Sequence, residues 1–374
     1  MTFDFVIVGA GMAGASLAYE LSQANSVCLV EAEAQPGFHT TGRSAALFAP
    51  SYGGAEIRAI TRASEAFFTQ PPAGFCDYPL LHPRGCMFIG RPDQAARLDQ
   101  MAGEIARSGG DVSRITSAQA LGQIPRLRHD YVAGAVLDQR AMDIDVAELH
   151  QGFLRGARRA GAVVATDARV LEAEWHGGLW SVPFRGEQIR ARVLINAAGA
   201  WVDQVAAACG AHPLGLRPLR RTAIVVDAPE GVDLRAWPTV IDVDEKFYFK
   251  PESGRLLLSP ADETPVDPCD AQPDELDIAI GVDRVQAALD IEVRRIHRSW
   301  AGLRTFAPDR TPVIGYDPDI PQFFWCAGQG GYGIQTAPAM ARTAAALAQG
   351  LPAPADVLAE GLLVSALSPG RFLA

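Results

Sequence analysis

Near the start of the 374-residue chain, Gly9, Gly11 and Gly14 stand at G-x-G-x-x-G spacing, and Glu31 follows roughly 20 residues on. Together these types can hold a dinucleotide. Gly9 permits a tight turn, Gly11 lets backbone approach a pyrophosphate, and Gly14 lets a helix pack closely on a strand. Glu31 offers a carboxylate to ribose hydroxyls. A looser set follows. Tyr52, in the turn SYGG, carries a phenol that could donate to a substrate carboxylate, although most tyrosines only pack. Arg220 and Arg221 are adjacent, so in a strand they leave opposite faces and one can point inward. Phe247–Lys250 alternates, which places Tyr248 and Lys250 on one face. Gly328, Gly330 and Gly333 repeat the G-x-G-x-x-G spacing near the end of the chain.

The elements that must position these residues are legible in part. Phe5–Val8 is a short apolar run, the pattern of a strand buried on both faces, and Leu17, Ala18 and Leu21 give a helix. Val27–Val30 is a second strand ending at Glu31. The order strand, helix, strand, acid is the context that gives the glycine spacing meaning; a structural βαβ unit with an empty crevice is the alternative. The helix start turns its amides and positive dipole end toward the phosphates. After a loop with Pro36 and Gly37, a helix is expected from Arg43, capped by Thr41. There Gly42, Ser44, Ala45 and Ala46 would let a flat ring lie against backbone, and Arg43 could hold a phosphate or a ring carbonyl. Further on come a Pro/Gly-broken connection over 67–77, helices over 95–105, 117–121 and 146–160 (Asp145 as N-cap, Gly161 as stop), and strands at 163–164 and 166–170. A Gly177–Gly178 hairpin and strands at 188–193, 216–227 and 256–259 follow. Residues 268–280 read as an acidic, Pro-rich surface excursion. In VLINAAGAW a strand runs into Ala198 and Gly199, where small residues permit close approach of a cofactor.

The second glycine motif lacks the context of the first. After the expected helix Ile334–Ala348 comes LPAPADV, with no strand and terminal acid. The better reading is a helix N-terminus aimed at the first cofactor. A flavin gains negative charge near N1 on reduction, which a positive helix end stabilises, so the pattern points to FAD rather than NAD.

Composition narrows the class. Lys plus Arg number 33 against 43 Asp plus Glu, a net charge of −10, which disfavours nucleic acid or an anionic membrane as partner. The six cysteines form no C-x-x-C pair and read as free thiols; no metal is expected. No apolar run approaches the ~20 residues of a membrane span. Met1 and Thr2 leave no room for a secretory leader, so a soluble cytoplasmic protein is expected.

The stretches VIVGAGMAGAS, AQPGFHTTGRSAA, DIDVAELHQGFLRGARRA, NAAGAWVD, RPLRRTAIV, FYFKP, SWAGLRTF and AGQGGYGIQT resemble the D-amino-acid oxidase family of FAD enzymes, most of all its D-arginine dehydrogenase-type members. The resemblance implies an α/β fold: a Rossmann-like FAD domain of several segments (1–80, 145–215 and 300–374) and an α+β substrate domain with a largely antiparallel sheet (81–144 and 216–299). It implies that Glu31 holds the adenosine ribose, that Val170 meets the adenine region, and that Arg43, Ser44 and Ala45 lie along the flavin. With them go Met12 and Ala13 at the helix start, Ala32, Ala46, Ala198 and Gly199, and Gly330, Gly331, Tyr332, Gly333, Ile334 and Gln335 of the last glycine-rich turn.

The positions matching the family's carboxylate clamp are Tyr52, Arg221, Tyr248 and Arg304, and Gly331 matches the residue whose carbonyl faces the substrate amine. Where D-arginine-type members carry a pocket histidine and glutamate, this chain has Leu47 and Cys86. A guanidinium without its carboxylate is costly in a closed pocket, so a neutral or apolar D-amino acid is expected. The implied reaction is oxidative deamination by hydride transfer from Cα to flavin N5, giving a 2-oxo acid and ammonia. Rivals are a secondary-amine or imino-acid dehydrogenase, a 2-hydroxy acid dehydrogenase, and a flavin-binding module without turnover. His39 is a candidate base by type only. No motif specifies the electron acceptor; dehydrogenase rather than oxidase rests on the resemblance.

Overall fold

The computed structural model describes residues 2–107, 110–185 and 187–372. Strand β1 (Thr2–Val8), helix α1 (Met12–Leu21) and strand β2 (Val27–Val30) form the expected βαβ unit. β1 and β2 pair in parallel, Phe5 opposite Val27 and Val8 opposite Val30. The apolar run is covered on both faces: Val6, Ile7 and Leu29 are fully buried, each contributing roughly 1.5–3 kcal/mol through removal from water. α1 packs against helices Val146–Arg159 and Ala337–Ala348. β1 lies between β2 and Glu187–Asn196 in an eight-stranded sheet, and Phe323–Ala327 extends its parallel part beside Leu194–Asn196. The hairpin Glu174–His176 and Leu179–Phe184 turns on Gly177 and Gly178, both at positive φ.

A nine-stranded sheet forms the second layer. Its ladders are antiparallel except where Thr239–Asp242 runs beside Cys86–Gly90. The longest ladder joins Arg217–Val226 to Ile296–Phe306. A three-stranded sheet of Leu47–Phe48, Met142–Ile144 and Leu81–Pro83 sits apart. No helix among the described residues is long and apolar enough to cross a membrane. The cysteines are free, with Cys269 exposed.

Several local expectations fail for visible reasons. No helix starts at Arg43. Residues Thr40–Arg43 form a single 3₁₀ turn, Ser44 is extended, and the Arg43 carbonyl accepts from the Trp300 indole instead of from a next turn. Residues 166–170 are not a strand: Asp167 has φ of 54°, and its amide and that of Ala168 donate to the carbonyls of Glu33 and Glu31. The last long helix begins at Ala337, one turn later than expected, with Pro338 in its first turn where a missing N–H costs nothing. Residues 67–69 belong to an unexpected helix, Ala55–Thr69. The acidic excursion is not merely surface. It ends in helix Glu275–Ala288 and buries Ala271, and Asp277 pairs with Arg220 at 2.8 Å.

Candidate active site

One cavity is lined by both glycine-rich turns and by the face of the nine-stranded sheet. At its first end the walls are largely the glycine turn and the helix start. Gly9, Gly11, Met12 and Ala13 line it. A Cβ on Gly14 would lie 1.8 Å from the Gly9 carbonyl oxygen, so only glycine lets α1 start this close to β1. Gly14 thus packs behind the cavity rather than lining it. The Met12 amide donates to the Thr41 hydroxyl at 2.9 Å. Thr41 does cap a helix, but it is α1 rather than the one expected after it. The amide of Ala13, which lines the cavity, has no carbonyl to reach inside the helix. Glu31 accepts from Ala10 N–H at 2.8 Å and from Glu33 N–H at 3.0 Å, which fixes its carboxylate beside the cavity with lone pairs to spare. Ala32, Val170, Ala198 and Gly199 line the same end.

His150 escaped notice in the sequence. It is buried, its Nε2 sits 2.9 Å from the Ala10 carbonyl, and burial holds its pKa below the ordinary histidine range. A neutral imidazole donating N–H there braces the first glycine turn. The signal was its place among Leu149, Gly152 and Phe153 on the buried face of its helix.

Arg43 lines the cavity with Ser44 and Ala45, but its guanidinium is committed elsewhere. It donates to the carbonyls of Ala271 and Ala301, both at 3.0 Å, and pairs with Asp270 at 2.5 Å. The reading of Arg43 as a phosphate or ring-carbonyl ligand is corrected accordingly: the side chain ties the excursion to the sheet. Ala46 does not line the cavity; its carbonyl accepts from Ile144.

At the far end the walls are side chains. Across the long ladder Arg221 faces Gly302 and Leu219 faces Arg304. Period two therefore puts both arginines on one face, diagonally apart, with a glycine between them. Pairing through Arg255–Ser259 carries the same face to Tyr248 and Lys250. Arg221, Tyr248 and Arg304 line the cavity. Arg220, on the other face, is taken by Asp277, and Lys250 by Asp143 at 2.6 Å. The Arg304 guanidinium makes no hydrogen bond or ion pair among the described residues. It lies flat against Gly331, where a Cβ would be 2.9 Å from Nη1. Burial and the neighbouring Arg304 push Arg221 below the ordinary arginine range.

The remaining expected residues stand behind this wall. Gly330, Gly331, Gly333 and Ile334 line the cavity, but Tyr332 and Gln335 do not. The Tyr332 ring packs 5.2 Å from that of Tyr52. Gln335 is buried; its carbonyl oxygen accepts from Ala49 N–H at 3.2 Å and holds the segment carrying Tyr52, while its Nε2 has no partner among the described residues. Leu47, Tyr52, Cys86 and Tyr248 share one apolar cluster with Phe88 and Ile241. Leu47, Tyr52 and Cys86 do not line the cavity; they pack behind Tyr248, which does, and Cys86 is fully buried. The Tyr52 hydroxyl donates to Glu245 at 3.2 Å, and burial with that carboxylate pushes the phenol well above its usual range. Glu245, in a turn where its own φ is 55°, carried no signal in the sequence.

Glycine turns, a fixed acid and a helix start at one end of a cavity, with cationic side chains at the other, define a flavin-type oxidoreductase site. The chain belongs to the family of DAO-type FAD-dependent oxidoreductases, whose model matches residues 4–347. FAD is its cofactor. Glycine oxidase of Geobacillus kaustophilus is 23% identical over 90% of each chain, and its crystal structure superposes with a TM-score of 0.84 at 22% identity over 97% of this chain and 98% of that one. Iminodiacetate oxidase of Chelativorans sp. BNC1 superposes with a TM-score of 0.79 at 22% identity, covering 98% of both chains. Mitochondrial dimethylglycine dehydrogenase of Homo sapiens is 24% identical over 88% of this chain and 40% of its own length.

Proposed function

We propose that this chain oxidises the Cα–N bond of a neutral α-amino acid of D configuration with an apolar side chain, releasing ammonia and a 2-oxo acid after water hydrolyses the imino acid. The observation that carries the reading is Arg304: a cation with no partner among the described residues, held against the Gly331 backbone and facing the cavity beside Arg221 and Tyr248. A guanidinium kept unpaired next to a like charge is costly unless an anion completes it, and a carboxylate matches its fork. A flavin-binding module without turnover has no use for it. The D configuration rests on the motif resemblance of the clamp positions.

Bound FAD supplies the acceptor for the hydride that leaves Cα. The residues of the chain supply position. Arg304 and the open edge of Arg221 grip the carboxylate, the Tyr248 hydroxyl donates to it, and the Gly331 carbonyl accepts from the amine, which fixes Cα–H in one direction; Tyr52, whose hydroxyl is given to Glu245, packs behind Tyr248. No side chain is assigned as base. His39 Nε2 is engaged by Glu33 at 3.0 Å and its ring lies 4.6 Å from that of Trp201. The amine reacts in its neutral form, and kcat/KM rises with pH through one ionisation; a second ionisation in that rise, belonging to the enzyme, would require a base.

A second reading, oxidation of a secondary amine or imino acid, draws support from the likeness to glycine oxidase and iminodiacetate oxidase. The clamp would be the same. Of the apolar cluster that holds Leu47, Tyr52, Phe88 and Ile241 only Tyr248 reaches the cavity, so the preference for a hydrocarbon side chain rests on the motif resemblance. Glu245 does bring an acid to Tyr52, but it is exposed and solvated, not a closed cationic pocket. Anaerobic mixing with D- and L-amino acids, sarcosine, D-proline and D-arginine tests the choice. Bleaching of the flavin band by D-leucine or D-phenylalanine and not by their L-forms is expected. Faster bleaching by sarcosine or D-proline would install the second reading, and by D-arginine would move the specificity to Glu245.

A further inference from the structure

We infer that Glu263, held by Arg310, is a positioning residue that selects which edge of Arg221 meets the substrate carboxylate; this rests on the clamp reading above. Arg221 is buried, and one edge of its guanidinium is already docked: Nε donates to the Asp262 carbonyl at 2.8 Å and Nη2 to Glu263 Oε1 at 3.2 Å. Nothing among the described residues accepts from Nη1. The end-on edge is thus the one left for an anion, and it faces the cavity that Arg304 also lines.

Glu263 is itself fixed from outside. Arg310 grips its two oxygens at 2.8 and 3.1 Å, the paired geometry that makes an arginine–carboxylate contact directional. The Arg310 guanidinium lies 3.9 Å over the Phe306 ring. That ring fills the space a side chain at Gly330 would need, its edge 2.0 Å from a Cβ there. Asp262 anchors the same segment by accepting from the Thr222 amide at 2.7 Å and its hydroxyl at 3.0 Å. A continuous set of contacts therefore runs from the last glycine turn through Phe306, Arg310 and Glu263 to Arg221. It holds Arg221 relative to the turn whose Gly331 backs Arg304. Burial pushes the Glu263 carboxyl up, but the Arg310 and Arg221 cations outweigh it and keep the group ionised.

The competing effect has the opposite sign. Removing a carboxylate beside a clamp raises the positive potential and on charge alone tightens anion binding. Orientation wins if Glu263 positions Arg221. The test titrates FAD-loaded enzyme anaerobically with butanoate, a substrate-shaped carboxylate without an amine, and reads the shift of the flavin band. Glu263→Ala is expected to weaken butanoate by about tenfold, the scale of one lost hydrogen bond to a charged group. KM should rise by a similar factor and kcat change by less than about twofold. Arg310→Met, at a half-exposed site, should weaken binding by roughly threefold, and the double variant should be no worse than Glu263→Ala alone. Unchanged or tighter binding by Glu263→Ala, or strictly additive losses, would overturn the inference. Should Glu263→Ala fail to load FAD, Arg310→Met decides by itself, unchanged affinity counting against it. A wild-type flavin band that responds to no carboxylate or amino acid would remove the clamp reading, and the inference with it; a wild-type response with unaltered variants removes the inference only.

Discussion

At the end near Glu31 the cavity is walled largely by the glycine turn and the helix start, and the side chains beside them hold that backbone in place. Thr41, His150 and Glu31 each hold a backbone group of the glycine turn or its flank. At the end near Arg304 the backbone is regular sheet and side chains project into the cavity, one of them a cation without a partner. The first end has its framework fixed before any ligand arrives; the second keeps a side chain without a partner. A phosphate needs donors that do not move, which rigid amides at a helix start provide. A turning-over substrate needs a site that gains from its arrival, and an unpaired guanidinium gains most. The contrast predicts that variants at the first end destroy the protein or its cofactor binding, whereas variants at the second abolish activity and leave the fold sound.

The largest expected effect is at Gly14. An alanine inside a helix ordinarily stabilises by about 1 kcal/mol over glycine. Here its Cβ would sit 1.8 Å from the Gly9 carbonyl oxygen. Gly14→Ala is expected to reverse that sign and cost on the order of 3 kcal/mol, with little FAD retained. Thermal melting and flavin content of the purified protein check it; a stabilised, yellow variant would mean the turn is not as tight as drawn. Next comes Arg304→Met. Loss of its carboxylate contact should lower kcat/KM by roughly 2–5 kcal/mol, or some 30- to 4,000-fold. Flavin content should stay full and the melting temperature should not fall, because a guanidinium facing Arg221 has been removed. A variant that loses activity and stability together would erase the distinction between the two ends. Glu31→Ala is smaller. It removes the acceptor for the Ala10 and Glu33 amides as well as the ribose contact, and should weaken FAD roughly tenfold, measured by reconstitution of apoprotein. Its kcat with FAD saturating should be unchanged.

The same contrast explains what could be read in advance. The βαβ unit is local: each glycine, the apolar runs and Glu31 carry their meaning within one stretch, and the elements formed where expected. The clamp is not local. Spacing said only that Arg220 and Arg221 part ways; it took a family resemblance to choose Arg221 and Arg304, because their meeting depends on the register of a long antiparallel ladder. Side chains that serve through a second residue were the least legible. The helix that Thr41 was expected to cap does not form, and its hydroxyl instead accepts from the Met12 amide, a partner distant in sequence. Gln335 and Arg43 come to the cofactor from the family resemblance; the Arg43 guanidinium is bonded to backbone carbonyls and Asp270, and the Gln335 carbonyl oxygen to the Ala49 amide. Glu245 and Glu263 lay in stretches with no periodic pattern, and only tertiary contact gives them a role.

Away from the cavity, near the last turn of α1, one acid stands without a partner. The Glu20 carboxyl makes no hydrogen bond among the described residues, and burial pushes it up from 4.5 to about 7. The nearby Arg342 opposes that shift only weakly, being engaged by Asp356 at 2.7 Å. The sign follows from proton counting. Between the unfolded value of 4.5 and the folded value of about 7 the native state binds more protons than the unfolded one, so the contribution of Glu20 to stability is present below that window and is lost as pH rises through it. Glu20→Gln keeps the shape and cannot ionise. It should melt with wild type at pH 4.5 and roughly 2–4 °C above it at pH 8. Activity with FAD saturating should not change, since α1 touches the cofactor end only through its first turn. An equal melting difference at both pH values would mean that Glu20 ionises freely in the folded protein.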